Sequence, residues 1–166
     1  MTCIVGIVED SVIYMGGDRA ASDEVSIVSM KQPKVYIRDE WIYGYAGNIG
    51  EGQWINYISL PSPEGDVEKI LKTKIAPLLR KSIENDRDSS DTGFLIGARG
   101  RLFELSVEDW GVIEISESSI GSGSQFALGS LYTSIGKDSI DRIGLALGSA
   151  ITYSPTCQGP IDIISL

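Results

Sequence analysis

Residues 2–19, TCIVGIVEDSVIYMGGDR, are the most informative part of the sequence. Thr2–Val8 and Val12–Gly16 are apolar runs rich in β-branched residues, and the turn between them, Glu9–Ser11, is polar. This pattern predicts a β-hairpin that begins at the N-terminus. Because the two strands would be antiparallel, Asp18, just after the second strand, should lie near the start of the first.

The rest of the chain alternates between groups of strands and groups of helices. Further strands are predicted at Val25–Val28, Lys34–Arg38, Trp41–Tyr45, Gly93–Ala98, Leu102–Val107, Gly111–Ile115 and Ile161–Leu166. Helices are predicted at Asn48–Tyr57, from Gly65 to Ile83 with a kink or break at Pro77, at Gln125–Ile135, and at Ser139–Thr152 with Asp138 as its N-cap. This order favours an α+β fold over a Rossmann alternation, and the length suits a single domain over residues 1–166. We also expect Phe126 and Tyr132 to pack between helices and sheets.

The composition argues against several classes of partner. There are 14 basic and 23 acidic residues, so the formal charge is 14 − 23 = −9, which does not suit nucleic-acid binding. No apolar run approaches the roughly 18 residues of a membrane span. Cys3 and Cys157 are too few for an all-cysteine metal site. We therefore expect a cytoplasmic protein that uses no metal or cofactor and binds neither nucleic acid nor membrane.

The sequence contains no histidine, which excludes hydrolysis with a histidine base and a histidine-ligated metal. The α-amine of an N-terminal threonine can serve as the base instead, since its ordinary pKa is about 7.7–8.0. Removal of Met1 would expose such an amine on Thr2. Asp18 and Lys34 are expected at the same end of the sheet. Taken singly, Asp18 also fits a turn and Lys34 a solvated strand edge.

In five short motifs the sequence resembles proteasome β-subunits and HslV-type peptidases, which are N-terminal nucleophile (Ntn) hydrolases. The matching segments occur in the family's order along nearly the whole chain: Thr2–Gly6, Gly17–Ala20, Lys34–Val35, Tyr45–Asn48 and Gly121–Ala127.

The resemblance implies a four-layer αββα sandwich, in which two antiparallel sheets face each other between outer helices. It implies that Thr2 is the nucleophile, that Asp18 and Lys34 form the charge pair beside it, that the Gly47 backbone N–H forms the oxyanion hole, and that Ser122 assists proton transfer at the Thr2 amine. The family also implies a threonine-type endopeptidase. It would act on peptides or unfolded proteins inside a homo-oligomeric ring, with an ATP-dependent unfoldase as a partner.

The chain departs from the family in the loop after the last predicted helix. Many members carry an acidic residue and a serine there, whereas this chain has Ser154 and Cys157. These two residues and Arg19 are secondary candidates for the site. The departure, or retention of Met1, would suit a non-catalytic or weakly active ring or scaffold subunit. A small-molecule amide hydrolase with the same Thr2 site is the third hypothesis.

Overall fold

The computed structural model describes residues 2–22, 26–83 and 91–166. The strands are β1 (Ile4–Glu9), β2 (Val12–Asp18), β3 (Ala20–Ser22), β4 (Ile27–Ser29), β5 (Val35–Arg38), β6 (Trp41–Ala46), β7 (Gly93–Ala98), β8 (Arg101–Ser106), β9 (Val112–Ile115), β10 (Glu117–Ile120) and β11 (Ile161–Ser165). The α-helices are α1 (Ile49–Gln53), α2 (Val67–Ile70), α3 (Ala76–Ile83), α4 (Ser124–Thr133) and α5 (Ser139–Tyr153). A 3₁₀ turn, Trp54–Asn56, follows α1, and a π-helical segment, Leu71–Ile75, joins α2 to α3.

The strands at the N-terminus form the predicted hairpin at the centre of the first sheet. This sheet is antiparallel, with strand order β10-β1-β2-β11. Asp10 and Ser11 both have positive φ, 50° and 62°, as a tight hairpin turn of type I′ requires. In the register, Ile4 pairs with Gly17, so Asp18 lies beside the start of β1 as the sequence predicts.

The second sheet is also antiparallel and has the order β5-β6-β7-β8-β9. An apolar cluster fills the space between the two sheets and includes Ile4, Met15, Ile42 and Leu95. A second cluster packs the helical region from α1 to α3 against the outer face of the second sheet. A third packs α4 and α5 against the outer face of the first sheet. These layers confirm the αββα sandwich.

The helix predicted from Gly65 to Ile83 is continuous but changes its winding before the proline. Asp66 caps its start by accepting a hydrogen bond from the backbone N–H of Lys69. The π-helical segment ends immediately before Ala76-Pro77. Proline has no N–H and its ring crowds the carbonyl one turn earlier, so the wider winding before Pro77 accommodates the ring without a break in the helix. The N-cap Asp138 is confirmed, since its side chain accepts from the Asp141 N–H at 3.0 Å.

The structure corrects several details of the sequence-based assignment. The strands β3 and β10 were not predicted, because each is short and partly polar and exists through pairing with another strand. The strand expected at Val25–Val28 is observed at Ile27–Ser29, and Val25 lies outside the described residues. The expected burial of Phe126 and Tyr132 is wrong, since their exposed fractions are 40% and 75%.

Among the described residues, none of the helices is both long enough and apolar enough to cross a membrane.

Replacing Gly52 with alanine should destabilise the fold. A Cβ at this position of α1 would lie 2.1 Å from Cδ2 of the buried Tyr45 ring, so the ring or the helix has to shift. We expect Gly52→Ala to lower the free energy of unfolding by about 1–3 kcal/mol, measured by urea denaturation.

Gly144→Ala in α5 is the matched control, because a Cβ there meets no atom within 4 Å. It should raise stability by about 0.5–1 kcal/mol through helix propensity alone. Equal stability of the two variants would contradict the packing described for α1.

Candidate active site

Thr2 lies two residues before the first residue of β1 and is 1% exposed. Its carbonyl oxygen accepts a hydrogen bond from the backbone N–H of Gly123 at 3.4 Å. Gly121 approaches the same carbonyl so closely that a Cβ there would lie 2.1 Å from the oxygen, and its φ is +96°. Glycine is therefore needed at this turn, which holds the start of β1 against the N-terminal end of α4.

Lys34 reaches Thr2 from the residue before β5. Its Nζ donates hydrogen bonds to Thr2 Oγ1 at 2.5 Å, to Asp18 Oδ1 at 3.2 Å, and to the carbonyl oxygen of Ala20. The Lys34 side chain is fully buried. Three acceptors thus surround an ammonium that has three protons to donate.

Asp18 supplies the counter-charge and is also fully buried. Its Oδ1 accepts from the Cys3 backbone N–H at 3.0 Å in addition to Lys34. Its Oδ2 accepts from the backbone N–H groups of Ala20 and Gln158, both at 3.2 Å. A buried carboxylate needs such compensation, and four donors provide it here.

Electrostatics at this site favour a lysine that gives up its proton more readily than usual. Burial lowers the pKa of Lys34 from its ordinary value, while the Asp18 carboxylate opposes that shift. While it is charged, the ammonium stabilises any negative charge that develops on Thr2 Oγ1, because the two atoms are in hydrogen-bond contact away from solvent.

The Thr2 nitrogen faces a row of hydroxyl groups. It donates to Ser122 Oγ at 3.3 Å, and Ser122 Oγ lies 2.7 Å from Thr156 Oγ1. Thr156 Oγ1 in turn lies 3.0 Å from Ser154 Oγ. The family resemblance implied that Ser122 and Ser154 lie near the site, but it did not single out Thr156. The sequence feature that could have indicated Thr156 is its hydroxyl, two positions after that of Ser154 in the same loop.

Gly47 lies on the loop between β6 and α1. Its φ is +98°, and a Cβ would lie 2.6 Å from Thr92 Cα, so only glycine fits without distortion. The loop is fixed by Thr92 Oγ1, which accepts from the Asn48 N–H at 3.1 Å and donates to Glu51 at 2.7 Å. Ala46, just before Gly47, also lies close to Gly121, which brings this loop beside Thr2.

The secondary candidates have different positions. Arg19 forms a two-fold ion pair with Asp162 of β11, through Nε at 2.7 Å and Nη2 at 2.6 Å, and donates to the carbonyl of Lys31. These contacts tie the end of β2 to its neighbours. Cys157 is a buried free thiol whose pKa is raised by burial.

The thiol next to Thr2 is poorly suited to act as the nucleophile. Burial raises the pKa of Cys3 to about 12, and its Sγ lies 3.5 Å from Ser119 Oγ. The thiol is therefore protonated at neutral pH, whereas a thiolate is the reactive form.

A cleft of about 340 Å³ borders both turns that flank Thr2. Its lining includes Ala46 and Gly121 together with three carboxylate side chains, Asp91, Glu104 and Glu108. In the part of the chain that the structure describes, no group of three or more histidine, cysteine or acidic residues is placed to hold a metal ion.

Comparisons with known proteins show what this geometry is similar to. No family model and no curated protein matches the sequence. Solved structures match it closely, including Thiobacillus denitrificans BPH, with a TM-score of 0.84 and 15% identity over 99% of this chain and 97% of that one. Another structure shows that BPH in complex with epoxomicin.

HslV from Trypanosoma brucei matches with a TM-score of 0.78 and 20% identity over 99% of each chain. The chain has the proteasome-like Ntn-hydrolase fold. A Gly-1 mutant of Anbu from Hyphomicrobium sp. strain MC1 also matches, with a TM-score of 0.80 and 18% identity over 98% of this chain and 80% of that one. The family resemblance seen in the sequence is thus confirmed for the fold.

Asp18→Asn tests whether the buried ion pair stabilises the structure. The substitution keeps the shape of the side chain but leaves the buried Lys34 ammonium without its counter-charge. We expect the free energy of unfolding at pH 7 to fall by about 3–5 kcal/mol in a urea titration.

The control is Glu68→Gln, which breaks an exposed pair with Lys72 whose atoms are 2.6 Å apart. It should change stability by no more than about 1 kcal/mol. If Asp18→Asn lowered the free energy of unfolding no more than this control does, the buried ion pair would not stabilise the fold as described.

Proposed function

We propose that this protein is an N-terminal threonine peptidase that cleaves peptide bonds with Thr2 once Met1 has been removed. The main support for this proposal is the hydrogen bond between Lys34 Nζ and Thr2 Oγ1, which is 2.5 Å long. The site is buried, and Asp18 supplies the counter-charge. A hydroxyl beside a buried cation is an activated nucleophile.

The first half of the reaction acylates the enzyme. The Thr2 α-amine accepts the proton of Oγ1 while the oxygen attacks the peptide carbonyl carbon, and the Lys34 ammonium stabilises the charge on Oγ1. The oxyanion of the tetrahedral intermediate is assigned to the backbone N–H of Gly47, a kind of donor worth about 2.7–4 kcal/mol. The C–N bond then breaks, and the leaving amine takes the proton held by the Thr2 ammonium.

The second half releases the acyl group. The intermediate is an ester between Thr2 Oγ1 and the substrate carbonyl. Water attacks this ester and gives its proton to the free α-amine, after which the C–O bond breaks and the proton returns to Oγ1. The products are a carboxylic acid and the original hydroxyl, and no histidine is required.

The proposal extends to the assembly of the protein. We place this chain in a cytoplasmic homo-oligomeric ring that takes peptides or unfolded protein, with an ATP-dependent unfoldase as its partner. The fold shared with HslV supports the ring assembly. So do large apolar side chains left exposed in the helical layers, which subunit contacts would cover: Trp54, Tyr57, Leu78, Phe126, Leu128, Tyr132 and Tyr153.

Substitution of Thr2 tests the catalytic role. We expect Thr2→Ala to reduce hydrolysis of unfolded casein and of fluorogenic peptides by at least about 10³-fold, because the nucleophile is lost. Thr2→Ser should retain measurable turnover, since it keeps both the hydroxyl and the α-amine. Thr133→Ala, at an exposed position of α4, is the matched control and should behave as the wild type.

Unchanged turnover in Thr2→Ala would contradict the mechanism. A wild-type protein that cleaves small amides but no peptide would support the small-molecule amide hydrolase instead. A wild-type protein without any hydrolysis would support a scaffold role.

A further inference from the structure

The hydroxyl groups of Ser122, Thr156 and Ser154, which form the row beside the Thr2 nitrogen, can all donate in one direction. Ser122 Oγ lies 3.4 Å from the Thr2 carbonyl oxygen, to which it can donate. Thr156 Oγ1 can then donate to Ser122 at 2.7 Å, and Ser154 Oγ can donate to Thr156 at 3.0 Å. The Thr156 backbone N–H donates to Ser154 Oγ at 3.5 Å. Each hydroxyl donates once in this arrangement, so every proton in the row has an acceptor.

The consequence at Thr2 concerns the lone pair of the amine. With its own proton directed to the Thr2 carbonyl, Ser122 Oγ is left as an acceptor for an N–H of Thr2. An amine that donates to Ser122 keeps its lone pair free for the proton of Thr2 Oγ1. The orientation of the Ser122 hydroxyl therefore determines whether the lone pair of the Thr2 α-amine is available to accept a proton.

Ser122 needs a further partner to hold this orientation, because it is exposed and its hydrogen bond to the Thr2 carbonyl is long, at 3.4 Å. Thr156 is half-buried and β-branched, which restricts its rotamers. It is anchored from behind by Ser154, which is buried. The loop itself is held by the Gln158 N–H, which donates to Asp18 Oδ2.

The row contains no charged group. Cys157 adjoins Ser154 and Ser122, but burial raises the pKa of its thiol, which stays neutral. Among the described residues, the charged group in contact with the Thr2 hydroxyl is Lys34, which is paired with Asp18. The acidic residue that the resembled family often carries in this loop is thus replaced by a chain of neutral hydroxyls.

We propose that Thr156 is a positioning residue for catalysis, which fixes the Ser122 hydroxyl against the Thr2 nitrogen so that the amine can act as the base. This role rests on the proposed function. Thr156 acts through Ser122, which contacts both Thr156 and the Thr2 nitrogen.

The experiment compares Thr156→Val, which keeps the shape and removes the hydroxyl, with Thr156→Ser, which keeps the hydroxyl. We expect kcat on a fluorogenic peptide to fall about tenfold in Thr156→Val with KM changed less than about twofold, because only proton transfer is impaired. Thr156→Ser should restore most of the lost kcat. Thr133→Val, an exposed threonine of α4, is the control and should match the wild type.

A second variant guards against misfolding of the first. Ser154→Ala removes the group behind Thr156 and should lower kcat in the same direction but by less. If the wild type is active and both Thr156→Val and Ser154→Ala keep its kcat, the role of Thr156 is overturned while the proposed function stands. A loss that Thr156→Ser does not restore would also overturn it. An inactive wild type would overturn the proposed function and this role together.

Discussion

A lysine ammonium buried between a threonine hydroxyl and a carboxylate is the constraint around which this molecule is arranged. Lys34 cannot leave water at an acceptable energetic cost unless its three protons are accepted, and Asp18, Thr2 and Ala20 accept them. Thr2 precedes β1, Asp18 and Ala20 lie at the junction of β2 and β3, and Lys34 itself precedes β5. The fold therefore has to bring the start of β1, the end of β2 and the start of β5 to one point.

The sandwich provides that convergence through antiparallel pairing. The β1–β2 hairpin fixes Asp18 beside Cys3, and the Cys3 N–H donates to the same carboxylate that holds Lys34. The two sheets then close over the apolar cluster between them, which brings β5 of the second sheet against the hairpin. The contacts that pack the two sheets together therefore also bury the Lys34–Asp18 pair.

The parts of the site that the sequence predicted are those tied to strand ends. Thr2, Asp18 and Lys34 each border a run with a clear β pattern, so the topology of a hairpin and a following strand was enough to bring them together. Thr156 was missed because its contact with Ser122 spans 34 positions and depends on how the loop after α5 folds back. Hydrophobic periodicity in a sequence does not predict a contact of this kind.

The errors in the predicted fold also arise from contacts between segments that are distant in the sequence. The strand β10 reads ESSI, and its strand conformation comes from pairing with β1 rather than from propensity. Tyr132 was expected to pack between the helices and the sheets. In this chain it is exposed on α4, where a second subunit of the proposed ring would cover it.

The proposed peptidase requires Thr2 to become the first residue of the mature chain and to act as its nucleophile. Intact-mass spectrometry after incubation with epoxomicin tests both parts at once, because a peptidyl epoxyketone needs a free amine and a hydroxyl on one residue. We predict a single species that lacks Met1 and carries one epoxomicin molecule, which peptide mapping locates at Thr2. A protein that retains Met1 in full and remains unmodified would contradict it.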